Sequence, residues 1–252
     1  MPRYKLTIEY DGTGLVGWQR QASDASVQSL LERAVTLYCG ADITVHGAGR
    51  TDAGVHALAM TAHLDLPRAD APDKIRGALN YHLRPALISV LSAEPVAADF
   101  NARRAARARL YRYRILNRRA PPMLDRNRVW LVAPPLDADA MAQAAALLLG
   151  RHDFSTFRDS LCQAKSPVKT LDRLEVARDG DEIHITALAR SFLHHQVRNM
   201  VGTLKLVGLH QWPPHRVAEA LAARDRRAGG PMAPAHGLYL VEVRYEPNQR
   251  PA

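Results

Sequence analysis

The chain has 252 residues, of which 47% are hydrophobic and 23% charged, an ordinary composition for a globular protein with a sizeable core. It carries 34 Lys and Arg against 25 Asp and Glu, so its formal net charge of +9 favours a polyanionic partner. The two cysteines, Cys39 and Cys162, form no C-x-x-C pair, which argues against a disulfide scaffold or a cysteine zinc site. No apolar run is long enough to span a bilayer and no opening segment resembles a signal peptide, so we expect a cytoplasmic protein.

Hydrophobic periodicity predicts the elements of the first half of the chain. Residues 4–10 alternate between apolar and polar as a half-buried strand does. Ser26 is predicted to cap a helix that ends at Gly40. The patterns then predict, in chain order, a strand at 43–45, a strand at 58–66, a helix at 72–83 and a strand at 87–91.

The second half continues in the same style. The patterns predict, in chain order, a strand at 109–116, a helix at 137–149, strands at 171–177 and 183–189 joined by a hairpin turn, helices at 195–207 and 213–226, a loop at 231–236 and a strand at 238–245. Strands mixed with helices and joined in part by hairpins predict an α+β fold rather than a doubly wound sheet. A seam near residues 102–106 divides the chain into halves at 1–105 and 106–252.

The middle of the chain is strongly basic. Residues 101–128 contain ten arginines and a single acid, Asp125, with Tyr111 and Tyr113 interleaved. A uniformly solvated surface is rarely so one-sided, although arginine can also be the default surface residue of a basic proteome. The clustering favours nucleic acid as the partner.

The glycine-rich stretch at 47–56 places Arg50 and Asp52 in a backbone opened by three glycines. Its glycines match neither G-x-G-x-x-G nor a loop followed by G-K-[ST], so a nucleotide-binding loop is a poor fit. Taken alone, Asp52 is more readily explained as an aspartate that closes its own turn than as a catalyst. Arg50 taken alone is a solvated guanidinium at the rim of the loop.

The segment at 192–204 is predicted to place Arg198, Gly202 and Lys205 on one helix face, where Gly202 permits a close approach. A buried Arg198 would need a carboxylate partner, for which Asp52 is a candidate. The adjacent His194 and His195 are better explained as one inward and one outward side chain than as metal ligands, because neighbours in sequence rarely share one ion.

Tyr111 lies on the apolar face of its predicted strand. It is therefore either an ordinary core aromatic or a ring that stacks on a nucleobase and offers its phenol to a proton. The chain has no G-x-S-x-G motif and no cysteine–histidine pairing, so neither signal of a serine or cysteine nucleophile is present. These patterns alone predict a basic, nucleic-acid-binding α+β protein.

Several ordered motifs closely resemble the family of bacterial tRNA pseudouridine synthase A. The first is the stretch Gly47-Ala48-Gly49-Arg50-Thr51-Asp52-Ala53-Gly54-Val55-His56-Ala57. The likeness continues through Tyr10-Asp11-Gly12, residues 17–21, 100–103, 111–113, 152–157 and 192–204, and Ala233-Pro234-Ala235-His236-Gly237-Leu238-Tyr239-Leu240. Asn101 is a departure, since histidine is usual there in the family. The resemblance covers most of the chain up to Tyr245.

The resemblance implies the pseudouridine synthase fold, an α+β architecture of two similar halves whose mixed and antiparallel sheets join around a central cleft. It implies isomerisation of uridine to pseudouridine in the anticodon stem-loop of tRNA (tRNA positions 38–40), without metal or organic cofactor. It also implies a homodimer in which a tRNA contacts both subunits. No membrane association is expected.

The resemblance also assigns roles to residues. Asp52 would be the nucleophile, Arg198 its cationic partner, and Tyr111 the ring that stacks on uracil. Arg50 would fill the space left by the flipped nucleotide, and Leu238 would pack against the base. The arginines expected to bind RNA phosphates, largely by shape, are Arg103, Arg104, Arg107, Arg109 and Arg112.

Two other functions compete with this interpretation. A non-catalytic tRNA-binding protein with a decayed site would bind RNA without modifying it. An aspartate-dependent hydrolase of nucleic acid would need a second carboxylate or a metal cluster nearby, and no motif supplies one.

Overall fold

The computed structural model describes residues 1–21 and 25–245, which form two compact units. The first unit consists of Met1–Arg107 and the chain from Tyr239 onward, and the second unit is Ala108–Leu238. The halves predicted from sequence were 1–105 and 106–252, of which residues 246–252 lie outside the described range. From Tyr239 onward the last strand belongs to the first unit although it follows the second unit in sequence, because Tyr239 and Leu240 pair with a strand of the first.

The first unit is a half-sheet with two helices. Its elements are β1 (Arg3–Tyr10), α1 (Val27–Cys39), β2 (His46–Gly47), β3 (His56–Asp65), α2 (Pro72–Leu83), β4 (Ile88–Val96) and β10 (Leu238–Arg244). Strands β4, β1 and β3 are antiparallel neighbours, and β10 pairs parallel with β3 through Tyr239 and Leu240. Helix α2 packs on β4 and α1 packs on α2.

Local sequence accounts for most of this unit. The alternation in β1 buries Leu6, Ile8 and Tyr10. At the start of α1 the Ser26 hydroxyl accepts a hydrogen bond from the Ser29 N–H (3.1 Å), and Gly40 ends the helix in the left-handed region at φ 72°. The cap and the stop predicted from sequence are both confirmed.

The strand β3 departs from its predicted pattern. Met60, Ala62 and Leu64 are buried as expected, but Leu58 is 44% exposed. The pairing register between β1 and β3 shifts between Ile8 and Tyr10, and such a bulge turns the following side chains to the other face. The strand predicted at 43–45 is wrong, since the short strand begins at His46.

The second unit contains its own half-sheet and three α-helices. Its elements are β5 (Ala108–Leu116), β6 (Trp130–Leu131), α3 (Ala138–Ala146), β7 (Gly150–Asp153), β8 (Val168–Asp179), β9 (Glu182–Ala189), α4 (Gln196–Gly208) and α5 (Arg216–Ala223). Strands β5, β9, β8 and β7 are antiparallel neighbours in that order, and β6 pairs parallel with β5. Helix α3 packs on β8 and α4.

The elements of the second unit follow the predicted order with different ends. The hairpin between β8 and β9 turns at Gly180, which has a positive φ of 56°, as predicted. The helices predicted at 137–149 and 213–226 are shorter, and the strand β7 was not predicted because four residues carry too little periodicity. Among the described residues, no helix combines the length and the hydropathy needed to cross a bilayer.

An ion-pair network ties the strands β5 and β9 together. Arg114 on β5 binds both carboxylate oxygens of Glu182 on β9 (2.6 and 3.0 Å) and also reaches Asp125 (3.3 Å). His184 lies 2.8 Å from the same Glu182 carboxylate. The hydrogen bonds from Arg114, assisted by His184, lower the pKa of Glu182 to about 2.

Glu182 should therefore contribute a stability that depends on pH. A carboxyl group whose folded pKa lies below its unfolded value of 4.5 stabilises the protein above that value, and the stabilisation is lost as the pH falls towards about 2. We expect the free energy of unfolding of Glu182→Gln to fall less steeply than that of the parent as the pH is lowered through this window. Urea unfolding at a series of pH values measures it. Asp172→Asn, at an exposed position of β8, is the control and should follow the parent curve. Parallel curves for Glu182→Gln and the parent would contradict the prediction.

Candidate functional site

The glycine-rich loop at 47–56 is built around the ring of Trp18. A Cβ atom at Gly47 would lie 2.5 Å from that ring, so only glycine fits there. Trp18 is buried, and its backbone N–H donates to the carbonyl of Thr51 (3.0 Å). Trp18 thus fixes both ends of the segment that precedes Asp52.

Two further glycines bring the segment at 12–18 against the loop. A Cβ at Gly17 would lie 2.5 Å from the Thr51 carbonyl oxygen, and one at Gly12 would lie 2.2 Å from the Val55 carbonyl oxygen. Gly17 also has a φ of +99°, a region that other residues rarely adopt. Sequence analysis gave Gly12 and Gly17 no role of their own, although both lie in the motifs that carry the family resemblance.

Main-chain atoms close the turn that contains Asp52. The Val55 N–H donates to the Asp52 carbonyl (3.1 Å), and Gly54 adopts a φ of +77°. The Gly54 N–H reaches the Leu15 carbonyl (3.3 Å). Main-chain bonds therefore help to fix the backbone at Asp52, whose side chain is half-buried, while Arg50 is exposed.

His56 holds the end of the loop and was missed by sequence analysis. Its ring is buried, accepts the Gly12 N–H at Nδ1 (3.0 Å) and stacks on Tyr239 at a centroid distance of 4.7 Å. The Tyr10 hydroxyl forms a hydrogen bond with the Thr51 hydroxyl (2.8 Å) on the other side of the turn. A histidine at the first position of the strand β3 is the only sequence signal for this role.

In the second unit, Tyr111 and Tyr113 occupy the same face of β5 with different burial. Tyr113 is fully buried and donates its hydroxyl to the Pro234 carbonyl (2.7 Å). Burial raises the pKa of this phenol, and the nearby charge of Arg198 opposes the rise. Tyr111 is only half-buried and meets Phe192 edge-to-face at 5.3 Å, so its ring is less enclosed than that of an ordinary core tyrosine.

Helix α4 holds the segment at 230–234 through its backbone. The Arg198 Nε donates to the Ala233 carbonyl (2.9 Å), and the Ala233 N–H returns a bond to the Arg198 carbonyl (3.1 Å). A Cβ at Gly202 would lie 1.7 Å from the Pro231 carbonyl oxygen. The close approach predicted at Gly202 is confirmed. The face it shares with Arg198 is buried against this segment, which leads to the buried Leu238.

His194 and His195 differ in exposure, with side chains 38% and 16% exposed. Both rings turn towards Asp159: the His195 Nδ1 is 2.7 Å from one carboxylate oxygen, and the His194 Nδ1 is 3.7 Å from the other. Sequence analysis did not single out Asp159.

The basic run at 101–128 is divided between the two units. Arg103, Arg104 and Arg107 are exposed in the first unit, whereas Arg109 and the arginines after it belong to the second. On β5, Arg109 and Arg112 point to opposite faces because side chains alternate along a strand. The Arg109 guanidinium also donates to the Arg190 carbonyl (2.6 Å).

The turn at 100–105 that carries Arg103 and Arg104 is firmly anchored. Arg3 donates to the Phe100 carbonyl (2.8 Å), and the Tyr245 hydroxyl donates to the Ala102 carbonyl (2.8 Å). The Ala102 N–H donates to the Nδ1 of His63 (3.2 Å), whose pKa is lowered chiefly by burial. Beside the turn lies an open groove of about 810 Å³, which Arg104 and Asn101 help to line.

The structure therefore describes the predicted residues in two groups. Asp52 and Arg50 share one loop of the first unit, with Arg103, Arg104 and Arg107 on another. Tyr111, Arg198 and Leu238 belong to the second unit, as do Arg109 and Arg112.

Comparison with known proteins decides the family. The family model described as tRNA pseudouridine synthase matches residues 6–103 and 144–246. The chain belongs to the tRNA pseudouridine synthase family. Asp52, Arg198 and Leu238 lie inside the matched ranges, whereas Tyr111 lies between them. The family, the enzyme class and the α+β fold predicted from the motifs are confirmed.

Individual relatives cover nearly the whole chain. A protein of Paramagnetospirillum magneticum named tRNA pseudouridine synthase A is 61% identical over 97% of this chain and 96% of its own length. Its namesake from Rhodospirillum centenum is 60% identical over 97% of this chain and 100% of its own. A chain from the solved structure titled "Crystal Structure of a Cbf5-Nop10-Gar1 Complex" is 12% identical over 94% of this chain and 48% of that one, with a TM-score of 0.38, too low to bear on the fold.

Gly202→Ala should disrupt the contact between α4 and the segment at 230–234. The added methyl group would overlap the Pro231 carbonyl, so the backbone must move, and we expect a loss of about 1–3 kcal/mol in the free energy of unfolding. The matched control is Gly77→Ala in α2, where no atom lies within 4 Å of the new Cβ. That control should be neutral or slightly stabilising, because alanine favours helix. Equal effects of the two changes in urea unfolding would contradict the prediction.

Proposed function

We propose that the protein isomerises uridine to pseudouridine in tRNA and that Asp52 is the nucleophile. The observation that carries the proposal is the loop at 47–56 of a member of this enzyme family. Its turn is held by main-chain bonds and enclosed by Trp18, Gly17 and Gly12, so the backbone that carries Asp52 is fixed in place. A carboxylate presented from a fixed backbone suits a nucleophile that must form and release a covalent adduct.

The net reaction breaks the N1–ribose and C5–H bonds, forms the C5–ribose and N1–H bonds, and needs no redox partner. The glycosidic bond between the ribose and N1 of uracil breaks while Asp52 forms a covalent adduct with the ribose or the base. The uracil turns in place and its carbon 5 forms the new bond to the ribose. This bond displaces Asp52 if the adduct is on the ribose, whereas an adduct on the base releases Asp52 by elimination. The proton on carbon 5 leaves to a base, and N1 takes up a proton. Neither a metal nor an organic cofactor has a part in this scheme.

We assign the second unit to substrate binding. The half-buried Tyr111 ring, set edge-on to Phe192, offers a face on which a flipped uracil can stack. Arg198 is a buried guanidinium held in place through Ala233, and Leu238 follows the segment that Arg198 fixes. In the first unit we also assign Arg50 to substrate binding, because an exposed arginine two residues from Asp52 can occupy the space left by the flipped nucleotide.

Phosphate contacts are proposed for Arg103, Arg104, Arg107, Arg109 and Arg112. Arg103 and Arg104 are the best-supported candidates for phosphate contact, because they are exposed on an anchored turn beside a groove. Contacts of this kind recognise RNA largely by shape and make binding depend on salt.

The wider setting follows the family resemblance. We propose that the substrate uridines lie on the 3′ side of the anticodon stem-loop, that the protein acts as a homodimer and that it works in the cytoplasm. We also retain the functional division into residues 1–105, which carry the nucleophile, and 106–252, which carry the tyrosine and the arginine helix. The alternative, a non-catalytic tRNA-binding protein, predicts binding without product.

Asp52→Asn should abolish the reaction and leave tRNA binding nearly intact, because the amide keeps the shape of the side chain and loses its nucleophilicity. Tritium release from tRNA labelled at carbon 5 of uridine measures the first property, and filter binding measures the second. The control is Asp73→Asn, at an exposed position in the first turn of α2, which should react at the parent rate. Turnover by Asp52→Asn near the parent rate would refute the assignment. Absence of pseudouridine with the parent protein would favour the non-catalytic alternative.

Replacing both Arg103 and Arg104 by alanine should weaken tRNA binding at every tRNA tested. If each residue contacts one phosphate, the slope of log affinity against log salt should fall by about two. The charge-matched control replaces Arg33 and Arg76, which are exposed on α1 and α2. Affinity measured from low to moderate salt separates the two pairs. An unchanged slope for the Arg103 and Arg104 variant would exclude this turn from the phosphate contacts.

A further inference from the structure

The segment at 157–162 binds the start of α4 through several independent hydrogen bonds. The Asp159 N–H donates to the His194 carbonyl (3.1 Å), and the His194 N–H donates to the Cys162 Sγ (3.4 Å). The Asn199 amide donates to the Phe157 carbonyl (3.0 Å). The Asp159 carboxylate belongs to the same segment and lies against the rings of His194 and His195.

Helix α4 begins without a cap of its own. Its N-cap residue, His195, makes no side-chain capping bond and adopts a left-handed φ of 61°, which is uncommon for a residue other than glycine. The first turn of α4 contains no acidic residue. Negative charge favours a helix N-terminus, and here it is brought by Asp159 from another segment. The hydrogen bond between Asp159 and His195 (2.7 Å) also holds His195 in its unusual conformation.

The start of α4 is also where the helix carries Arg198. Arg198 lies three residues after His195 and binds Ala233 in both directions. Any displacement of the first turn would therefore move the guanidinium and the segment that leads to Leu238.

We propose that Asp159 is a positioning residue for the reaction: by holding His194 and His195 together it fixes the first turn of α4 and thereby the place of Arg198. It acts through these residues and not on the substrate. The inference rests on the substrate-binding role proposed above for Arg198.

Both oxygens of the Asp159 carboxylate are used, which makes the role specific to a carboxylate. One oxygen accepts from the His195 Nδ1 (2.7 Å), and the other accepts the Leu161 N–H (2.8 Å). These contacts, with burial opposing them, lower the pKa of Asp159. An asparagine loses the charge and has a single acceptor oxygen, so it can keep both bonds only if its amide N–H donates to a His195 Nδ1 that carries no proton. A glutamate keeps both acceptors and the charge.

The test compares Asp159→Asn and Asp159→Glu with Asp172→Asn, an exposed change in the same unit. The single-turnover rate of tritium release, the Kd for tRNA and the melting temperature are measured for each full-length protein. We expect Asp159→Asn to slow the single-turnover step by about 10- to 100-fold, because small misplacements of a positioned group cost that much. Its Kd for tRNA should stay within about twofold of the parent value, since phosphate contacts set affinity. Asp159→Glu should recover most of the rate, and Asp172→Asn should match the parent.

Several outcomes would overturn the inference. One is a single-turnover rate for Asp159→Asn equal to that of Asp172→Asn. Another is a loss of rate matched by an equal loss of folded protein and of tRNA binding, which would indicate structural damage alone. A third is no recovery with Asp159→Glu.

A parallel measurement on Arg198→Lys separates this inference from the proposed function. If Arg198→Lys is slow while Asp159→Asn is not, the positioning role of Asp159 is wrong and the role of Arg198 stands. If both variants react at the parent rate, the role proposed for Arg198 is wrong, and the positioning inference fails with it.

Discussion

Close approach between two backbone segments is the constraint on which both units depend. In the first unit, Gly12, Gly17 and Gly47 let the chain before α1 lie directly against the loop that carries Asp52. In the second, Gly202 lets the Pro231 carbonyl touch α4. A Cβ atom at any of these positions would lie within 3 Å of another atom and force the segments apart. The functional segments are therefore held by main-chain contact and packing.

This mode of support fixes the backbone that carries the functional side chains. Hydrogen bonds between backbone groups satisfy the polar atoms of a turn. Such bonds help to close the Asp52 turn, and Arg103 and Arg104 are exposed residues on the anchored turn at 100–105. By contrast, Arg114 forms ion pairs with Glu182 and Asp125, so this arginine of the same basic run has a structural role.

Local sequence predicted the elements that carry their own signals. The helix from Ser26 to Gly40 has a cap, an apolar stripe and a stop, and the hairpin at Gly180 has its turn residue. Elements without such signals were missed or misplaced. The strand β7 is only four residues long, and the bulge opposite Ile8 that exposes Leu58 depends on pairing between strands distant in sequence. The place of the strand β10 likewise depends on pairing with a strand distant in sequence, β3.

The sequence by itself determined the basic character of the chain, most of its helices and strands, and the family, since that information resides in composition, periodicity and ordered motifs. Tertiary structure alone decided how exposed each arginine of the run at 101–128 is, and that Arg114 forms an ion pair with Glu182. It also decided that Trp18 and His56 enclose the Asp52 loop, and that Asp159 meets the two histidines before α4. These contacts join residues far apart in the chain, and pattern along a sequence does not specify which distant residues meet.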